Sequence, residues 1–212
     1  MKYLKSWIIL IILICIYTFF CAYSYVQAIS SDIKTSVFRL HVIANSDSEE
    51  DQNLKYIVRD NLLKYMNEIC SNCSSKEEAF KVANLNINQF KQIAQDTVKS
   101  EGYSYNIDVE IGEFEFPTKN YGDVSLPAGM YDALKVKIGK AEGQNWWCVM
   151  FPPLCFVDVS SGIVPEDSKK LLEDELTEEE FALISDNSSR DINFKFKLLE
   201  IFSNSQMLTA KN

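Results

Sequence analysis

Two stretches of the chain alternate between apolar and polar side chains, as strands with one buried face do. The first covers residues 37–44 and the second covers residues 103–111. In the first stretch, Arg39 and His41 fall on the same face. The opposite, apolar face consists of Phe38, Leu40, Val42 and Ala44. The alternation of the second stretch changes phase after Gly112, which predicts a β-bulge there.

Apolar residues that recur with a helical period predict two helices between these strands. Ser48, with Asp51 three residues later, resembles a capping box, and the apolar stripe that follows covers residues 54–69. A second stripe covers residues 80–98 and predicts one further helix that ends at Gly102.

The rest of the pattern completes an α+β fold. Residues 131–138 and 146–151 are predicted strands, and residues 166–185 are predicted to form one or two short helices. This order of elements favours a single domain with a mixed or largely antiparallel sheet. We expect the two N-terminal helices to pack on one face of that sheet, preceded by an N-terminal hydrophobic helix for export or anchoring.

The N-terminal segment predicts export from the cytoplasm. Two lysines precede an uncharged apolar run at residues 7–23, which is the order found in secretory signals. Small residues offer cleavage after Ala28, with a second candidate at Ser24. The run is also close to the roughly 20 residues that span a bilayer, so an uncleaved anchor is the alternative. We therefore divide the chain into residues 1–28, a signal peptide or membrane anchor, and an extracytoplasmic domain at residues 29–212.

The net charge limits the class of partner. The formal charge is −9, and removal of residues 1–28 takes away two lysines and no acid, which leaves −11. An acidic domain does not suit nucleic acids or anionic lipid surfaces. The sequence also lacks phosphate-binding glycine loops, the G-x-S-x-G motif and the H-E-x-x-H motif. We expect no metal, no cofactor, no small-molecule substrate and no enzymatic activity.

Two adjacent tryptophans mark the strand at residues 146–151. Because neighbouring residues of a strand point to opposite faces, Trp146 and Trp147 cannot both enter the core. We expect one of them to face a groove, a partner or solvent. Pro152 and Pro153 then end the strand, because neither has a backbone N–H to donate. The pair of tryptophans favours a docking surface.

Four cysteines lie outside the N-terminal segment, and an oxidising compartment would allow three pairings between them. Cys148 and Cys155 flank a Phe-Pro-Pro-Leu turn, which makes them a candidate disulfide, with two buried free thiols as the alternative. Cys70 and Cys73 have redox-motif spacing. They lie at the end of a predicted helix, however, rather than at the helix N-terminus that lowers a thiol pKa.

A catalytic alternative rests on the single histidine of the chain. His41 and Cys148 would form a nucleophile–base dyad if the fold brought them together. Such a dyad would make the protein a secreted cell-wall or peptide hydrolase.

Three blocks of sequence are long and chemically unusual. They are FRLHVIANSDSEEDQ at residues 38–52 with Leu54-Lys55 and Val58-Arg59-Asp60; Tyr121-Gly122, Leu126-Pro127-Ala128-Gly129 and Tyr131; and NWWCVMFPPLCFVD at residues 145–158. These blocks resemble the stage II sporulation protein R family of endospore-forming bacteria. The resemblance covers residues 36–160.

The resemblance implies a signalling role. A family member is made in the forespore and exported into the space between the two septal membranes. There it activates stage II sporulation protein GA, a membrane-embedded aspartic protease that processes the pro-sigma-E precursor in the mother cell. We expect this chain to contact that protease through residues of the first and third blocks. The candidate contacts are Arg39, His41, Asn45, Asp47, Asp51, Trp146, Trp147 and Pro153. For Arg39 and Asp51, a structural ion pair or helix cap is the alternative role.

Overall fold

The computed structural model describes residues 2–121, 124–154 and 166–185. Six α-helices lie in these ranges: α1 (Lys2–Thr35), α2 (Glu49–Ile69), α3 (Lys76–Leu85), α4 (Ile87–Ser100), α5 (Glu166–Glu175) and α6 (Glu178–Ile184). The strands are β1 (Phe38–Ile43), β2 (Ile107–Phe116), β3 (Lys119–Tyr121), β4 (Val124–Leu126), β5 (Gly129–Ile138) and β6 (Asn145–Phe151).

Four of the strands form one mixed sheet, in the order β2-β5-β1-β6. The central strands β1 and β5 are parallel, whereas β2 with β5 and β1 with β6 are antiparallel. The register places His41 between Lys135 of β5 and Trp147 of β6. Strands β3 and β4 form a separate two-stranded hairpin. The predicted α+β class and the mixed sheet are therefore confirmed.

The alternation of β1 separates two faces of the sheet. The helix face carries Phe38, Leu40 and Val42 and packs against α2, α3 and α4, as in the edge-to-face contact of Phe38 with Phe80. The hairpin face carries Arg39 and His41, and Tyr121 of β3 contacts Arg39 from above. Burial of apolar side chains on the helix face supplies most of the driving force for this packing.

The second predicted helix is wrong in one respect, because residues 76–100 form two helices that meet at Asn86. Its side-chain amide donates to the carbonyl of Val82 at 2.8 Å, and its Oδ1 accepts from Tyr65 at 3.0 Å. Such side-chain bonds compete with the helical backbone, so the helix ends and restarts. Three helices, rather than the two expected, follow β1 and cover the helix face.

The predicted bulge at Gly112 is also wrong. Strand β2 pairs with β5 without a register shift from Ile107 to Phe116. The apolar side chains change phase along β2 for another reason, because the two halves of the strand are buried on opposite faces of the sheet. Its first half buries Ile107 on the helix face, while its last residue, Phe116, is fully buried on the hairpin face.

The N-terminal helix has an exposed part and an attached end. Its large apolar side chains from Trp7 to Phe20 are exposed. At the other end, Ile33 is fully buried and the hydroxyl of Ser36 donates to the carbonyl of Asp32 at 2.8 Å. Within the part of the chain that the structure describes, no helix combines the length and apolar character needed to cross a membrane.

Candidate functional site

The hairpin face holds a completely buried arginine. Arg39 has no solvent exposure, and its Nη2 donates to the hydroxyl of Tyr121 at 2.7 Å. Its guanidinium carbon lies 4.1 Å from the ring centre of Phe116 and 4.6 Å from that of Tyr131. Among the described residues, no group hydrogen-bonds to its Nε or Nη1. The positive charge is therefore held by ring faces rather than by a carboxylate.

The two tyrosines of this cage are neutral donors. Burial raises the pKa of both the Tyr121 and the Tyr131 hydroxyl, although the charge of Arg39 opposes the rise. The Tyr131 hydroxyl donates to the carbonyl of Pro127 at 2.5 Å, and the Tyr121 hydroxyl donates to the carbonyl of Trp147 at 3.3 Å. The first bond ties β5 to the segment that follows the hairpin, and the second ties the hairpin to β6.

His41 lies two residues further along β1, on the same face. Its ring stacks on Trp147 with centroids 3.6 Å apart and planes 21° from parallel. Its Nε2 is 2.7 Å from Oδ1 of Asn145. The pKa of His41 is lowered to about 4, mainly by burial and also by the charges of Lys135 and Arg39, while the Asn145 bond opposes the shift. The ring is neutral at pH 7, so Nε2 donates to Asn145 and the buried Nδ1 has no partner among the described residues.

The end of β1 is followed by a polar clasp, which consists of three predicted contact residues: Asn45, Asp47 and Asp51. The Asp51 carboxylate accepts from the amide of Asn45 at 2.7 Å and from the hydroxyl of Ser46 at 2.6 Å. Burial, the largest single effect, raises the pKa of Asp51, but bonds from Ser46, Asn45 and Tyr105 outweigh it and leave the pKa lowered. Asp47 accepts from the backbone N–H of Gln144 at 2.8 Å.

This clasp sets the path of the chain from β5 into β6. The side-chain oxygen of Asn45 accepts from the N–H of Lys140 at 3.0 Å. A Cβ at Gly143 would lie 2.1 Å from the carbonyl oxygen of Ser46, so only glycine allows this close approach. Asn45, Asp47 and Asp51 thus direct their polar atoms at the domain itself and position the start of the tryptophan strand.

Trp146 lies on the helix face, opposite to Trp147, as the alternation predicted. The guanidinium carbon of Arg59 is 4.3 Å from its ring centre, and the ring of Tyr56 meets it edge-on at 5.3 Å. Arg59 also bonds to its neighbour Asp60 at 2.7 Å. Both tryptophans are half-buried. Pro153 is half-buried too, and its carbonyl accepts from Ser168 at 2.9 Å.

Cys148 does not form a catalytic pair with His41. Cys148 is buried opposite Leu40, on the helix face, and is disulfide-bonded. His41 is on the other face, so the dyad required by the hydrolase hypothesis does not form. Cys155 lies outside the described residues, and its pairing with Cys148 stays a prediction. Cys70 and Cys73 form a disulfide with each other at the end of α2.

The structure brings together three of the predicted contact residues, Arg39, His41 and Trp147, and separates them from the clasp and from Trp146. Sequence reasoning missed Phe116, which touches all three of the grouped residues. Its signal was the change of phase in β2, which was interpreted as a bulge. Tyr121 and Tyr131 belong to the second sequence block but were not assigned a place in the site.

The chain is similar to one family of sporulation proteins. A family model described as stage II sporulation protein R (spore_II_R) matches residues 34–161. Stage II sporulation protein R of Bacillus subtilis (strain 168) is 37% identical over 183 residues, which cover 81% of this chain and 82% of the relative. No solved structure matches the chain.

Proposed function

Because the chain belongs to the stage II sporulation protein R family, we propose that it is an exported signal that activates a membrane-embedded aspartic protease. That protease is stage II sporulation protein GA, and it then processes the pro-sigma-E precursor in the mother cell. The chain acts by binding and carries out no chemistry itself.

One observation carries this proposal. The three sequence blocks that gave the resemblance meet at one cluster on the hairpin face, which we call the Arg39 cluster: Arg39, His41, Phe116, Tyr121, Tyr131 and Trp147. Arg39 and Tyr121 alone are 82 positions apart in the chain. A fold that gathers the unusual residues of a family in one place, beside a half-exposed tryptophan, supports a recognition surface there.

The proposed location is the space between the forespore and mother-cell membranes. The exposed apolar side chains of α1 and the lysines before them support an export segment. Mass spectrometry of the exported protein distinguishes cleavage after Ala28 from retention of the whole helix.

Activation requires that the signal bind one state of the protease more tightly than the other. A preference of about 3 kcal/mol shifts the equilibrium roughly 150-fold. We propose that the signal binds the extracytoplasmic part of the protease and favours an active, dimeric state. Trp147 is the contact that the geometry favours over Trp146, because it belongs to the Arg39 cluster.

The test is reconstitution in a non-sporulating host. This chain, the protease and the sigma-factor precursor are produced together, and precursor cleavage is scored on a blot. We expect cleavage with the exported chain and none with a version that lacks residues 1–28. Trp147→Ala should reduce cleavage at least about tenfold, whereas Trp146→Ala should reduce it less than about threefold.

Folding must be measured in the same variants. Thermal unfolding of each purified protein shows whether it is folded at the temperature of the assay. Loss of cleavage in a folded Trp147→Ala protein supports the docking surface. Absence of cleavage with the wild-type chain, when all three proteins are present and the protease is in the membrane, contradicts the proposed function.

A further inference from the structure

The hairpin face carries two cations that lack a bonded carboxylate among the described residues. Arg39 is one, and the other is Lys135, which lies next to His41 in the register and has its Nζ 4.9 Å from the ring centre of Phe114. The neighbouring lysine on the same strand differs. Lys137 bonds to Glu110 at 2.9 Å and to Asp108 at 3.3 Å.

Unsatisfied polar atoms point into the same region. Nε and Nη1 of Arg39 are buried donors without a hydrogen-bond partner among the described residues. Such atoms are rare in native proteins, since each costs the desolvation of a polar group without a compensating bond. A buried guanidinium without a carboxylate costs more still. Among the described residues, the donors of Arg39 therefore lack an anion.

The site opens along β1 toward its C-terminal end. Arg39 has no exposure, His41 is 5% exposed and Ile43 is half-buried. At this end Asn145 is exposed, and Lys135 and Trp147 are half-buried. Trp147 covers His41 as a stacked ring at this open end.

We propose that the Arg39 cluster, together with Lys135, is a binding site for one carboxylate side chain of a protein partner. The planar guanidinium matches a carboxylate in a bidentate geometry, and Lys135 adds a second charge at the open side. This inference rests on the proposed function, and the partner's carboxylate would come from the extracytoplasmic part of the protease.

The charge of the whole chain selects this type of anion. A net charge of −9 repels anionic membranes and polyanions at long range. A single carboxylate on a protein surface meets little of that repulsion and gains fully from the low-dielectric site.

The probe for this site is N-acetyl-glutamate methylamide, compared with the matching glutamine compound, which has the same shape and no charge. Full-length protein in neutral detergent is titrated at constant ionic strength while nitrogen–proton spectra record Arg39 Nε–H and the indole N–H of Trp147. We expect saturable shifts of both signals with the glutamate compound only. The Nε–H of Arg59 serves as an internal control, because that guanidinium already bonds to Asp60.

Two lysine variants provide a matched pair. Lys135→Gln should weaken glutamate binding about 3–10-fold, and Lys137→Gln, whose lysine is already bonded to Asp108 and Glu110, should weaken it less than about twofold. Both positions are part-exposed, so neither change removes a core residue. In the reconstitution assay, Lys135→Gln should reduce precursor cleavage to a similar extent and Lys137→Gln should not.

Each outcome distinguishes this inference from the proposed function. Equal shifts with the glutamate and glutamine compounds, or none, would overturn the carboxylate site even if the wild-type chain still activates the protease. Glutamate-specific binding with full activation by Lys135→Gln would overturn the assignment of the carboxylate to the partner. Glutamate-specific binding lost together with activation supports the inference.

Discussion

Trp146 and Trp147 are consecutive residues of one strand, and each belongs to a cluster that contains an arginine, yet the two arginines have different surroundings. Arg59, over Trp146, is part-exposed and bonds to Asp60, the next residue in the chain. Arg39, in the cluster of Trp147, is fully buried and is held by aromatic rings. The Trp146 cluster keeps its arginine paired with an exposed acid, although the Trp146 indole N–H is buried without a partner among the described residues. The Arg39 cluster keeps a charge where proteins rarely keep one.

The two arginines differ in the desolvation free energy that folding must offset. An exposed cation beside an aromatic ring contributes about 0.5–1 kcal/mol and tolerates change. A buried guanidinium costs several kcal/mol of desolvation, which only close contacts can offset. The fold accepts that cost at Arg39 and uses residues from β1, β2, β3, β5 and β6 to offset it. A role at the protein surface alone would not require a buried arginine surrounded by rings.

The largest expected effect is on the wall of the buried cluster. Phe116→Ala should lower the free energy of unfolding by about 3–4 kcal/mol, because a fully buried ring is lost and the charge of Arg39 loses its closest ring face. Phe114→Ala is the control, two residues earlier on the same face and half-buried, with an expected loss of about 1 kcal/mol. Urea unfolding measures both. Equal losses would mean that the Arg39 cluster is no more demanding than the sheet surface beside it.

The second largest effect is expected from changes in the polar clasp. They should alter the surroundings of both tryptophans, because the clasp positions the start of β6. Asp51→Ala should cost about 2–3 kcal/mol, since it leaves Asn45 and Ser46 without their acceptor. Asp47→Ala removes a single bond from an exposed side chain and should cost less than about 1 kcal/mol. The measurement is again urea unfolding, with near-ultraviolet circular dichroism as the record of the tryptophan surroundings. A spectrum unchanged by Asp51→Ala would separate the clasp from β6.

The local sequence pattern correctly predicted those features of the fold that depend on residues close together in the chain. The two faces of β1 and the opposite placement of Trp146 and Trp147 follow from the two-residue period of a strand, which holds wherever the strand pairs. The cap at Ser48 is equally local, because its oxygen accepts from the N–H of Asp51 only three residues away. The Asp51 side chain, however, turns to Asn45 and Ser46 instead of completing the box.

Contacts between distant segments could not be derived in this way. Nothing near Arg39 indicates that Tyr121 will be its hydrogen-bond partner, or that ring faces will take the place of an acid. Phe116 shows the problem most clearly, since its burial on the hairpin face produces the phase change that local reasoning interpreted as a bulge. The break at Asn86 is similar, because it depends on a bond from Tyr65 as well as on the intrinsic preference of asparagine.

A pH titration should separate the buried cluster from the exposed one. The pKa of His41 is about 4 in the folded protein and near 6.5 when unfolded, so the unfolded chain binds the proton first as the pH falls. The stabilisation by neutral His41 is therefore complete above pH 6.5 and is lost as the pH falls toward 4. After allowance for solvent screening, we expect a loss of about 1–2 kcal/mol between pH 7 and pH 5.

The control for that titration is His41→Phe, which keeps a ring against Trp147 and removes the only histidine. The carboxyl groups titrate in both proteins, so the difference between the two urea-unfolding series isolates His41. If the free energies of unfolding of the two proteins change equally between pH 7 and pH 5, protonation of His41 does not destabilise the fold. The Arg39 cluster would then be more accessible to water than its contacts indicate.

The smallest expected effect is on the cluster of Trp146. Asp60→Asn removes the acid beside Arg59 but leaves the guanidinium, whose side chain is 17% exposed, over the indole ring. Exposed ion pairs contribute between zero and about 1 kcal/mol, so the free energy of unfolding should change by less than about 0.5 kcal/mol. Urea unfolding at low and moderate salt measures this change. A loss as large as that of Phe116→Ala would show that Arg59 needs its carboxylate, and the contrast with Arg39 would then disappear, because both arginines would depend on a specific partner.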